Sequence, residues 1–161
     1  MSKIETINKW EKAFCKIQNE FNGWQLEWCG DENKCYDARG ITPKGKKCVI
    51  EMKFRKKYYK EKLIEKYKFD ELMKLDEDIV KIYYVSDPKG TYYFWLDKLV
   101  DLKIIQKRCP KTTLWNDNKI KKDVYLLDED LASIVTRKSE STHNYKTENN
   151  WYAKNRKPKR P

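Results

Sequence analysis

The chain has little of what marks a membrane, secreted or zinc protein. No hydrophobic run approaches the length of a membrane span, and the start, Met1-Ser2-Lys3-Ile4-Glu5-Thr6, has no apolar signal region. Its five cysteines are odd in number and lack close pairing, which argues against a secreted disulfide framework. Cys29 and Cys35 invite a zinc reading, but there is no CxxC pair, and the single histidine, His143, lies in a polar tail. Reduced structural cysteines in a cytoplasmic protein, with no membrane partner, are the expectation.

Positive charge is abundant. The net charge is +11, a balance that favours nucleic acid as partner. From Arg137 to Pro161 there are eight Lys or Arg and two Glu. Hydrophobic periodicity stops there as well, so residues 137–161 are expected to form a basic tail, disordered when free, behind one domain spanning 1–136. Trp151-Tyr152, between basic residues, could stack on bases; a solubilising extension is the plain alternative.

Residues 4–22 read as a helix with Trp10, Phe14, Ile17 and Phe21 on one face, ended by Asn22-Gly23. Strands are expected at 24–29, 34–40 and 48–54, then a long helix over 58–76 with Leu63, Tyr67, Leu72 and Leu75 buried. Further strands fall at 79–85 and 91–97, joined by the turn Asp87-Pro88-Lys89-Gly90. Residues 98–120 give no clear pattern. Asp123–Leu127 reads as a last strand, with Asp128 capping a short helix through Ile134.

The chemistry concentrates in Cys48-Val49-Ile50-Glu51-Met52-Lys53-Phe54. In a strand, Ile50, Met52 and Phe54 face one way and Val49, Glu51 and Lys53 the other. Asp37 precedes this strand across the turn Thr42–Lys46, so a hairpin would set Asp37 beside Glu51. Two carboxylates with a lysine make a hard, oxygen-rich site suited to Mg²⁺ or Mn²⁺, the equipment for phosphodiester hydrolysis. With 38% of residues charged, chance matches arise: Asp87 and Asp101-Leu102-Lys103 repeat the spacing, but in turn and mixed contexts rather than on an apolar strand. Lysine and arginine follow the site closely, in particular Arg55, Lys56, Lys57, Lys62 and Lys68, a row that would draw a phosphate backbone. A solvated charged face is the bland alternative.

This order and these residues, Asp37-Ala38-Arg39-Gly40 followed by Val49-Ile50-Glu51-Met52-Lys53-Phe54-Arg55, resemble the PD-(D/E)XK nuclease superfamily over roughly residues 4–97. Within it they look most like archaeal-type Holliday-junction resolvases and small phage-encoded relatives. The resemblance implies an α/β, restriction-endonuclease-like core (α-β-β-β-α-β) with a mixed central sheet flanked by helices. It implies metal ligation by Asp37 and Glu51, Lys53 as catalytic lysine and the Met52 carbonyl as an added ligand. Many members complete the site with a Glu of the first helix, for which Glu11 is the first candidate and Glu20 the second. Lys62 or Lys68 would supply a polar residue from the next helix. Tyr36 stands where the family name has proline, and the basic, glycine-containing start of resolvases is missing.

The function so implied is a metal-dependent DNA endonuclease in recombination, repair or phage DNA processing, in the host cytoplasm if phage-encoded. Cutting both strands needs two sites, which a homodimer would supply. Two other classes stay open: a non-catalytic nucleic-acid-binding module that keeps the fold, and a virion or interaction protein that binds through its tail.

Overall fold

The computed structural model describes residues 1–110 and 119–138; the expected tail from 139 onward, including Trp151-Tyr152 and His143, lies outside the described residues. Helix α1 (Lys3–Phe21) starts at a capping box. The Ser2 hydroxyl accepts from Glu5 N at 3.2 Å, and the Glu5 carboxylate accepts from Ser2 N at 3.3 Å, an arrangement that stabilises a helix by about 1 kcal/mol. Gly23, at φ +78°, turns the chain out of the helix. The buried face of α1 is Glu11, Phe14 and Cys15. Trp10 and Phe21, expected on that face, are exposed: the helix lies across one face of the sheet and buries only a narrow stripe centred on Phe14.

Strands β1 (Gln25–Trp28), β2 (Ala38–Ile41) and β3 (Lys47–Phe54) form an antiparallel meander. The β2–β3 turn closes through Thr42 N to Lys46 O and Gly45 N to Thr42 O, with Gly45 at φ +82°. From β3 the chain crosses through β4 (Glu61–Glu65) and α2 (Lys66–Met73) before returning as β5 (Val80–Asp87) parallel to β3. The hairpin partner β6 (Gly90–Trp95) follows, a 3₁₀ turn spans Leu96–Lys98, and β7 (Lys103–Pro110) and β8 (Lys119–Asp128) form a second hairpin. After a 3₁₀ turn at Glu129–Leu131, β9 (Ile134–Arg137) ends the described chain.

Two sheets result. The mixed central one runs β1-β2-β3-β5-β6-β9, and a smaller one runs β4-β8-β7. One face of the central sheet packs Ile50, Met52, Ile82 and Tyr84 against Phe14 and Cys15 of α1. Its other face packs Val49, Tyr83, Val85 and Phe94 against Leu72 of α2 and against Ile64 and Leu127 of the small sheet. The alternation along β3 is therefore as expected, with both faces buried.

Three expectations give way. Residues 58–65 are not helical: Lys62 and Ile64 point inward with the period of a strand because β4 pairs with β8, Leu63 opposite Leu126 and Ile64 opposite Tyr125. The pairing overrides a charge-rich sequence that reads as helix. The helix expected after Asp128 is a single 3₁₀ turn, in which the Asp128 carboxylate accepts from Asp130 N, and residues 134–137 instead add an edge strand to β6. Arg137, expected at the start of the tail, is thus the last residue of β9. The chance match also separates: Asp87 is buried in an ion pair with Lys62, and Asp101 lies in a loop at φ 52°.

Candidate active site

Asp37 stands one residue before β2. Its N–H donates to Ile50 O at 2.8 Å, and since Ala38 pairs with Ile50, Asp37 comes level with Glu51. Its Oδ2 accepts from Met52 N at 2.8 Å, a bond that fixes the carboxyl against β3. Glu51 is 1% exposed. Its Oε1 meets the Lys68 ammonium of α2 at 2.5 Å and the Lys53 ammonium at 3.7 Å. Glu51 and Lys53 share a face because they are two apart on a strand; Lys68 reaches them because α2 packs over that same face.

Glu11 arrives from α1 and is 5% exposed. Its Oε1 accepts from the Trp28 indole N–H at 2.9 Å. Gly30 leaves room for that pair: a Cβ there would lie 2.6 Å from Glu11 Oε1 and 2.7 Å from Trp28 Nε1. Glu20, the second candidate from the same helix, is exposed and takes no part. Glu11, Asp37, Glu51, Lys53 and Lys68 all line one open groove, which continues past Phe54, Arg55 and Lys56.

Burial opposes the charge on Asp37, Glu11, Lys53 and Lys68, and the neighbouring charges decide where each group ends. Burial, then the neighbouring Glu51 and Glu11 carboxylates, push Asp37 up to about 8. Burial likewise raises Glu11, partly opposed by its bond from Trp28. Burial lowers Lys53, against the pull of Glu51. For Lys68 burial works against the charge, but Glu51 more than offsets it and holds the ammonium above its usual range. Two carboxyls, Asp37 and Glu11, whose proton affinity burial and neighbouring negative charge raise, form a site that gains by taking up a cation.

A hard divalent cation fits this donor set. Glu51 Oε2 is a buried oxygen that accepts no hydrogen bond, a cost of roughly 1–3 kcal/mol unless something positive meets it. All the candidate ligands are oxygens, the preference of Mg²⁺ and Mn²⁺. These side chains do not converge, however: among the described residues no three His, Cys, Asp or Glu side chains come together closely enough to enclose a metal ion. Glu11 is turned toward Trp28, and Lys68 occupies one oxygen of Glu51.

The basic row divides. Arg55, Lys56 and Lys57 are exposed at the end of β3. Lys62 is not available to a phosphate: it is 4% exposed, ion-paired to Asp87 Oδ2 at 2.7 Å and donating to Tyr59 O at 2.5 Å. Lys68 lies in the groove rather than on its rim. All five cysteines are free. Burial pushes Cys15 up to about 12 and Cys29 and Cys48 up to about 11, so these thiols serve packing. Trp28 and Gly30 had no sequence signal beyond a strand end and a turn.

No family model matches the sequence, and no curated protein matches it. Among solved structures the fold is similar to that of Hjc, a Holliday junction resolvase from the archaeal hyperthermophile Archaeoglobus fulgidus. The TM-score is 0.51 at 11% identity, over 81% of this chain and 90% of that one. The fold is restriction-endonuclease-like, with a mixed central sheet and flanking helices.

Proposed function

We propose that this chain is a metal-dependent endonuclease that hydrolyses phosphodiester bonds in DNA. The observation that carries the reading is Glu51: a buried carboxylate with one oxygen on two lysines and the other without a partner, beside Asp37 on the neighbouring chain segment. In this reading Asp37, Glu51 and Glu11 hold Mg²⁺ or Mn²⁺, and the Met52 carbonyl is an added ligand. The cation, when bound, supplies Lewis-acid polarisation of the phosphate and a more acidic water.

The chain's own groups do the rest. Met52 N holds the Asp37 carboxyl, and the Trp28 indole holds Glu11. Lys53, its charge weakly solvated, faces the groove and donates to negative charge as it develops on the phosphate. Arg55, Lys56 and Lys57 take the backbone beyond it. The likeness to a Holliday junction resolvase supports a branched substrate in recombination, repair or phage DNA processing. Cutting both strands calls for a homodimer. No helix among the described residues is long and apolar enough to cross a membrane.

A second reading, a nucleic-acid-binding protein that keeps the fold without cutting, draws on Lys68, whose ammonium holds a Glu51 oxygen that a metal would use. Labelled junction, flap, duplex and single-stranded DNA incubated with Mg²⁺ or Mn²⁺ separates the two. The nuclease reading expects cutting of at least one substrate by the wild type, abolished in both Glu51→Ala and Lys53→Ala while DNA binding persists. Binding without cutting by the wild type on every substrate would leave the second reading standing.

A further inference from the structure

The β7–β8 hairpin carries a charge pattern that the site does not use. Residues 103–126 contain seven Lys or Arg and two Asp, the whole of the positive excess of residues 1–136. The register places Lys107 directly opposite Lys122 and Arg108 directly opposite Lys121. Directly opposed residues share a face and successive rungs alternate, so each face of the ribbon presents a like-charge pair. Such pairs weaken a sheet, and little apolar burial offsets them: residues 106–108 and 119–123 are exposed or half-buried, with Cys109 the buried residue beside them. A two-stranded ribbon without a buried face is marginal in water. Lys122 is met by Glu65 and Arg108 by the Lys119 carbonyl, contacts that steady the ribbon but do not call for cation facing cation. A polyanion does.

The base of the ribbon is fixed beside the groove. Val124 and Leu127 of β8 are fully buried, Lys122 pairs with Glu65 of β4 at 3.2 Å, and Lys107 lies 5.9 Å from the Tyr59 ring centre. Cys109 of β7 lines the same groove as Glu51 and Lys53. A two-stranded ribbon is also narrow enough to enter the major groove of B-form DNA, about 12 Å wide.

We propose that the β7–β8 ribbon is a DNA-binding arm that grips the phosphates of a duplex next to the cutting groove. That it serves cutting rests on the nuclease reading; that it binds duplex does not. The test is a salt titration of duplex binding by the full chain, comparing wild type with Lys107→Gln, Arg108→Gln, Lys119→Gln and Lys121→Gln combined. Each phosphate that the arm no longer neutralises lowers the slope of log affinity against log salt by about 0.9. The variant should therefore show a slope shallower by about 3.6, a tenfold or greater loss of affinity at low salt, and an unchanged cutting rate at saturating DNA. Its melting temperature should be equal or higher at low salt, because the like-charge rungs are gone. Arginine at the three lysine positions should restore the slope.

Unchanged slope and affinity would overturn the arm, as would loss of binding to anionic vesicles with duplex binding intact. The two readings fail separately. If the wild type cuts nothing but the slope falls, the nuclease reading fails and the arm stands. If the wild type cuts and the slope holds, only the arm fails.

Discussion

Replacing Asp37 with asparagine should change how stability depends on pH more than it changes stability itself. In the folded chain Asp37 sits near 8 because burial and two neighbouring carboxylates oppose its charge; unfolded, an aspartate lies near 3.9. Between those values the folded state holds a proton that the unfolded state has released. The stabilisation is complete below about 4 and is lost as pH rises through the folded value, with a slope of at most about 1.4 kcal/mol per pH unit. For a domain of this size that is about 3–5 °C in melting temperature per unit. Asparagine removes the proton but keeps an oxygen for Met52 N, so the hydrogen bond to β3 survives. Far-UV circular dichroism melts in EDTA from pH 5 to 8 should show a falling wild-type melting temperature and a flatter Asp37→Asn curve that crosses above it. Mg²⁺ or Mn²⁺ should flatten the wild-type curve as well, by favouring the ionised form. Parallel curves for the two proteins would refute the electrostatic account of the site.

Three further outcomes follow from the same geometry. Gly30→Ala should displace the Glu11–Trp28 pair, costing about 1–3 kcal/mol of stability and weakening Mn²⁺ binding; an unperturbed Trp28 indole NMR signal would contradict this. Lys62→Met should destabilise by roughly 3–5 kcal/mol, because Asp87 is left buried without its partner, while the salt dependence of DNA binding stays as in wild type. Removal of residues 139–161 should leave cutting in place with weaker, less salt-sensitive binding; loss of nearly all DNA binding would favour an interaction protein working through its tail.

What the sequence made legible was the strand that carries the chemistry. Ile50, Met52 and Phe54 alternate with Val49, Glu51 and Lys53 over a run apolar enough to name its own period, and the turn after Ile41 gave the hairpin that levels Asp37 with Glu51. Helix α1 was readable in extent but not in facing. Its aromatic stripe pointed to Trp10 and Phe21, whereas burial follows Glu11, Phe14 and Cys15, a polar residue included because its carboxylate accepts from the Trp28 indole. The small sheet was hidden for a related reason. Lys62 alternates inward with Ile64, yet a lysine reads as a solvent residue until Asp87 is found 2.7 Å away. Of its partners, the end of β8 was readable as a strand over Asp123–Leu127, but β7 and the start of β8, separated from β4 by some forty residues and more and charged on both faces, offered no clear hydrophobic period. Contacts between distant side chains, such as Trp28 on Glu11, leave no trace in spacing.

The central claim is that Glu11, Asp37 and Glu51 bind a divalent cation. Electron paramagnetic resonance titration of the full chain with Mn²⁺ tests it without requiring any substrate. A saturable site is predicted in the wild type, lost in Glu51→Gln and Asp37→Asn, weakened in Glu11→Gln, and kept in Glu20→Gln. Wild-type binding no tighter than that of Glu51→Gln would contradict it.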